Sequence, residues 1–157
     1  MVRLYLADGS NVDLCRRADI ESGRSIVRPG TAGADLSASF KTARTKSLRY
    51  KELLRGTIQL VAPSEWVLYK PRWDAFYGTK LEEFLKSLEI NTLIFTGCNF
   101  PNCPRTSMYE ASERDFKLVV PKDAISGIYR RGIDEAKNIG AAIFSTDKLV
   151  RKMKASW

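Results

Sequence analysis

Thr92-Leu93-Ile94-Phe95-Thr96, Lys117-Leu118-Val119-Val120 and Ala141-Ala142-Ile143-Phe144 are three short apolar runs with helical patterns between them. A fourth run, Glu65-Trp66-Val67-Leu68-Tyr69, comes before them. Successive runs start 27, 25 and 24 residues apart. Thr79-Lys80-Leu81-Glu82 has the spacing of a capping box, and Leu81, Phe84, Leu85 and Leu88 then share one helical face. Pro104 suits the first turn of a second helix, which runs through Met108 and Ala111 to about Asp115. A third helix carries Ile128, Ile133, Ala136 and Ile139 and is closed by Gly140. Strands alternating with helices at this interval predict βαβ units, hence an α/β fold with a parallel sheet and right-handed crossovers.

Working outward, the first half is less regular. Residues 2–6 read as a strand. Asp8-Gly9-Ser10-Asn11 and Arg28-Pro29-Gly30-Thr31-Ala32-Gly33 carry turn chemistry, and residues 37–52 stand between loop and short helix. The 157 residues, 44% hydrophobic and 28% charged, suit one domain spanning residues 1–157. No apolar run is long enough to span a bilayer, and the opening one stops at Asp8, short of a signal peptide's apolar region, so a cytoplasmic protein is expected. The net charge of +8 splits as +4, 0 and +4 over residues 1–50, 51–100 and 101–157. With no long block of one sign and no recognisable module, nucleic acid is not expected as a partner. Attraction of anionic small molecules is the plainer reading.

The chain has no histidine, which removes Ser–His–Asp and Cys–His catalysis and the commonest zinc sites. Three cysteines, Cys15, Cys98 and Cys103, read as free thiols. Cys98 and Cys103 alone would leave a tetrahedral metal site half built, so no metal is expected. In open parallel sheets ligands lie at the carboxyl ends of the strands. Lys70 follows the 65–69 run, and Cys103 follows the 92–96 run as a helix begins. A cysteine there meets unpaired N–H groups and the positive end of the helix dipole, and a neighbouring lysine adds charge; both favour thiolate. The loop Gly97-Cys98-Asn99-Phe100-Pro101-Asn102 brings backbone N–H groups to the same point. Against this, a lone cysteine is more often a small buried hydrophobe, and a lysine a surface charge. Trp73, Phe76, Tyr77 and Phe100 are candidates either for core or for a pocket wall.

Lys70-Pro71-Arg72-Trp73-Asp74-Ala75-Phe76-Tyr77-Gly78-Thr79 is followed by Leu93-Ile94-Phe95-Thr96-Gly97 and Cys103. Thr106-Ser107, Glu110-Ala111-Ser112, Val119-Val120 and Asp123-Ala124 come next in order. Together they resemble the isochorismatase-like cysteine hydrolases over roughly residues 1–145, most strongly over 66–127. The resemblance implies a three-layer α/β/α fold with a Rossmann-like, largely parallel sheet. It also implies a cofactor-free hydrolase that cleaves a C–N bond of a small amide, ureide or carbamoyl compound through a Cys thioester. Cys103 matches the nucleophile and Lys70 the catalytic lysine. Asn99 matches the residue after a cis peptide, whose N–H and that of Cys103 would face an oxyanion. The presence of Cys103 separates the chain from isochorismatase proper, and the lack of histidine from the metal-binding nicotinamidases.

One departure stands out. The family's first strand ends in a catalytic aspartate, whereas residues 2–6 look like the second strand, so the chain is read as N-terminally short. It begins late, or it is a reduced and catalytically impaired relative, or Asp8 stands in for the aspartate. A sheet lacking a central strand would expose edges and apolar surface, so a homo-oligomer is expected, and a binding or structural role is the rival to catalysis.

Overall fold

Three of the four apolar runs form a parallel sheet. β3 (Thr92–Ile94), β4 (Lys117–Pro121) and β5 (Ala142–Phe144) lie in the order β3-β4-β5, with Leu93 opposite Leu118 and Val120 opposite Ile143. As the middle strand, β4 buries Leu118, Val120 and Pro121. The crossovers are α4 (Cys103–Ser112) and α5 (Arg130–Asn138); α3 (Leu81–Ser87) precedes β3 and α6 (Thr146–Ala155) follows β5. The fold is α/β, a parallel sheet flanked by helices, as the strand–helix rhythm predicts. The structure, a computed structural model, describes residues 1–155. They fall into two units, one of residues 1–72 with 77–81, the other of residues 73–76 with those from 82 onward.

In the second unit α4 turns Pro104, Ser107, Met108 and Ala111 inward, the i, i+3, i+4 spacing of one helical face. Met108, the one large apolar side chain among them, contributes about 1.5–3 kcal/mol by its burial. Gly132 and Ala136 are the buried residues of α5. Gly132 has no room for a side chain, because a Cβ there would stand 2.3 Å from Cε1 of Phe100. Gly140 ends α5 at φ +86°. Its N–H and that of Ala141 reach back to the carbonyls of Lys137 (2.9 Å) and Ala136 (3.0 Å), a Schellman closure.

Some boundaries differ from the sequence reading. α4 stops at Ser112, before Asp115 turns to φ +61°. α5 starts two residues after Ile128. Leu88 lies beyond α3 and is exposed. The capping box forms by half: Thr79 Oγ1 accepts the Leu81 N–H at 3.3 Å, but the Glu82 carboxylate goes to Lys86 (2.6 Å) and Arg114 (3.0 Å). Two cations outbid one backbone donor for that carboxylate.

The first unit departs further. Residues 65–69, expected in the parallel sheet, instead form β2 (Glu65–Val67), antiparallel to β1 (Gln59–Ala62) across a tight turn with Ser64 at φ +58°. Beyond β2, Tyr69 makes a lone parallel bridge to Val2, with Val2 N–H to Leu68 O at 2.9 Å and Lys70 N–H to Val2 O at 3.0 Å. That bridge is all that remains of the strand expected over residues 2–6. The reason is Asn11, whose Oδ1 accepts the Leu6 N–H and whose Nδ2 donates to the Leu4 carbonyl, both at 2.8 Å. One side-chain amide takes the place of a neighbouring strand.

Leu4, Ala34, Leu48, Leu53, Val61 and Val67 make this unit's core. Gln59 is buried and ties β1 to the preceding segment through Arg49 N–H and the Ser47 carbonyl. The undecided stretch 37–52 resolves into a 3-10 turn at Ala38–Phe40 and the start of α2 (Tyr50–Leu54). α1 (Leu14–Glu21) was not foreseen; it buries nothing and so shows no apolar period. Among the described residues no helix is long and apolar enough to cross a membrane.

Candidate active site

Cys103 is the first residue of α4 and half-buried, while Cys98 and Asn99 before it are exposed. The loop over 97–102 is pinned along the segment 124–126. Gly97 N–H donates to Ala124 O, Ser126 N–H to Gly97 O and Phe100 N–H to Ser126 O, at 2.8–2.9 Å. The Cys98–Asn99 peptide is cis, as the resemblance implies. The Asn99 side chain lies against Gly127, where a Cβ would come within 2.2 Å of Oδ1. Arg105 N–H donates to Phe100 O at 3.2 Å and Thr106 N–H to Asn102 O at 3.1 Å, whereas the N–H groups of Asn99 and Cys103 donate to no carbonyl among the described residues. The nucleophile candidate therefore sits among undirected donors at a helix N-terminus, which favours an anion at that point.

One turn further along α4, the buried Ser107 Oγ accepts the Ala75 N–H at 3.0 Å, and Asp74 Oδ1 accepts the Phe76 N–H at 3.0 Å. These bonds fix the 73–76 turn against the helix that begins with Cys103. Two of the four pocket candidates prove to be interior residues. Phe76 is buried against Phe116 with the Arg114 guanidinium over its ring, and Phe100 is buried edge-on to Tyr129. Trp73 is half-buried and Tyr77 is 61% exposed.

In the first unit Lys70 is 5% exposed, and its ammonium donates to the Arg72 carbonyl at 2.9 Å. A buried cation must be hydrogen-bonded, so this one is held rather than loose. Asp8 is exposed; its Oδ1 accepts the Ser10 N–H (3.0 Å) and hydroxyl (2.8 Å). The Ser10 bonds hold its carboxyl below its ordinary value. This is turn chemistry, as Asp8-Gly9 reads.

The acidic residue that the sequence reading passed over is Asp13. It is buried and receives Arg3 Nη2, the Tyr5 hydroxyl (2.9 Å) and Cys15 Sγ (2.6 Å). Burial alone would raise its carboxyl, but the bonds from Cys15 and Tyr5 and the Arg3 charge outweigh it and hold the group below the usual value. Burial and the bond to Asp13 push the Tyr5 phenol up to about 12. That same bond raises the Cys15 thiol. Asp13 also stands at the N-cap of α1 yet makes no side-chain cap bond. An N-cap aspartate commonly contributes about 0.5–2 kcal/mol, and here it is turned inward. No sequence signal marks that choice, because the partner Arg3 lies ten residues away.

The family model described as Isochorismatase domain matches residues 24–148. The chain belongs to the isochorismatase family. N-carbamoylsarcosine amidase of Arthrobacter sp is 34% identical over 98 residues, which is 60% of this chain and 37% of that protein. An Arabidopsis thaliana protein named "Probable inactive nicotinamidase" is 28% identical over 146 residues, covering 89% of this chain and 65% of its own. The chain thus spans between about one third and two thirds of these relatives' lengths. The crystal structure of an isochorismatase family protein from Desulfovibrio vulgaris superposes with a TM-score of 0.77 at 26% identity, covering 98% of this chain and 73% of that one.

Proposed function

We propose that this isochorismatase-family chain is a cysteine hydrolase of a C–N bond in a small amide, ureide or carbamoyl compound. The observation that carries the reading is Cys103 at the start of α4, beside backbone donors with no carbonyl partner. The Cys103 sulfur attacks the carbonyl carbon, forming an S–C bond as the C–N bond breaks and the amine leaves with a proton. Water then attacks the thioester, releasing the acid and restoring the thiol. Lys70 holds the thiolate and developing charge, and the N–H groups of Asn99 and Cys103 stabilise the oxyanion. An acidic residue takes the thiol proton, with Asp8 the sequence candidate. Trp73 and Tyr77 suit a pocket wall better than the interior Phe76 and Phe100. The chemistry needs side chains alone, so no cofactor enters it. We read residues 1–157 as one isochorismatase-like domain of a cytoplasmic homo-oligomer.

A second reading is a catalytically impaired member that binds a ligand or partner. The engagement of Asp8 in its own turn favours it, as does the likeness over 89% of the chain to a relative named inactive. One assay separates the two. Ammonia or amine release is followed from a panel of primary amides, ureides and N-carbamoyl compounds. The hydrolase reading expects turnover that Cys103→Ala reduces at least about a thousandfold while the protein stays folded. No turnover across the panel, or turnover that survives Cys103→Ala, decides against it.

A further inference from the structure

We infer that Arg3 and Asp13 form a positioning brace for the segment that carries Lys70, an inference that rests on Lys70 serving the proposed hydrolysis. The backbone brings the two stretches together at one point: Val2 bridges Tyr69, and the Lys70 N–H donates to the Val2 carbonyl at 3.0 Å. Arg3 follows Val2 directly. Its Nη2 donates both to Asp13 Oδ2 and, at 3.4 Å, to the Pro71 carbonyl. One nitrogen with two hydrogens therefore joins a buried carboxylate to the carbonyl of the residue immediately after Lys70.

The Pro71 carbonyl also accepts Arg72 Nη1 at 3.0 Å, and the Arg72 carbonyl accepts Lys70 Nζ at 2.9 Å. The order of connection is thus Asp13, Arg3, Pro71 carbonyl, Arg72 carbonyl and the Lys70 ammonium. Turning the 71–72 peptide would move the acceptor that aims the ammonium. Asp13 also accepts the Tyr5 hydroxyl and the Cys15 thiol, and forgoes its helix cap to meet Arg3. An aspartate recruited only to start α1 would face the helix. A guanidinium suits this place because its terminal nitrogen carries two hydrogens in one fixed plane, one for each acceptor, whereas a lysine ammonium is a point charge on a flexible stem.

The test uses Arg3→Lys, which keeps the charge beside Asp13 but shortens the reach to Pro71, together with Asp13→Asn and a control, Tyr5→Phe, which leaves Arg3 in place. Two readouts are taken on the full chain. Acetylation of Lys70 by an amine-reactive ester is measured against the exposed Lys86 in the same molecules, so a partly unfolded sample betrays itself. The pH midpoint of Cys103 alkylation by iodoacetamide is measured in parallel. Arg3→Lys and Asp13→Asn are expected to speed Lys70 acetylation about three- to tenfold and to raise the Cys103 midpoint by about half a pH unit, with Tyr5→Phe near wild type. Unchanged Lys70 reactivity in Arg3→Lys overturns the brace, and so does an equal rise in Tyr5→Phe. Lys70→Met isolates the underlying reading. If it leaves the Cys103 midpoint where it was, the role of Lys70 falls, while the acetylation rates still judge the brace.

Discussion

The two units hold their candidate site residues by different means. Around Cys103 the backbone is fixed by backbone: a parallel strand, a helix start, and a loop bonded carbonyl to amide along residues 124–126, closed over by Phe100 and Gly132. In the unit that carries Lys70 a lone backbone bridge from Val2 to Tyr69 is supplemented by side chains: Asn11 in place of a strand, Gln59 across β1, and the Arg3–Asp13 pair on the Pro71 carbonyl. A site built the first way is sensitive to shape. One built the second way is sensitive to single polar atoms and to pH.

Substitutions can break or sharpen that contrast. The largest effect is expected at Phe100, where Phe100→Ala empties a fully buried ring site and should lower stability by about 3–5 kcal/mol in urea unfolding. A loss below about 1 kcal/mol would mean that the loop before Cys103 does not depend on packing. Gly132→Ala, which forces a methyl against the Phe100 ring, should cost about 1–3 kcal/mol, read as a lower urea midpoint at unchanged slope.

On the other side, Asn11→Ala leaves the Leu6 N–H and the Leu4 carbonyl without their partner. It should cost about 1–3 kcal/mol and speed hydrogen exchange at Leu6 specifically. Normal protection at Leu6 would show that the amide only decorates the chain. The smallest effect is in pH dependence. The Asp13 carboxyl titrates below its ordinary value in the fold, so its contribution is present above about pH 4 and is lost as the pH falls through the folded value. The Tyr5 phenol is raised to about 12, so its contribution is full below about pH 10 and fades between there and 12. Asp13→Asn should flatten the acid limb of a stability profile, leaving the alkaline limb largely in place.

The same contrast explains what could be read from the sequence. β3, β4, β5 and the helices between them follow from apolar spacing, because a buried helix or strand face must repeat at 3.6 or 2 residues. Cys103 follows from its place between β3 and α4, and its resemblance to a family adds the cis peptide and the lysine. The first unit resisted. α1 has no apolar face, Leu4 and Leu6 are satisfied by a side chain rather than a strand, and β2 turns back on β1. Asp13 could not be singled out, because its role depends on Arg3, Tyr5 and Cys15 converging in space.

The most direct measurement is the rate of alkylation of each cysteine by iodoacetamide at neutral pH, resolved by peptide mass spectrometry in wild type and Lys70→Met. Cys103 as an activated nucleophile predicts that it reacts at least about tenfold faster than Cys15 and Cys98, and that Lys70→Met removes most of that advantage. A Cys103 that reacts no faster than the exposed Cys15 would contradict the account.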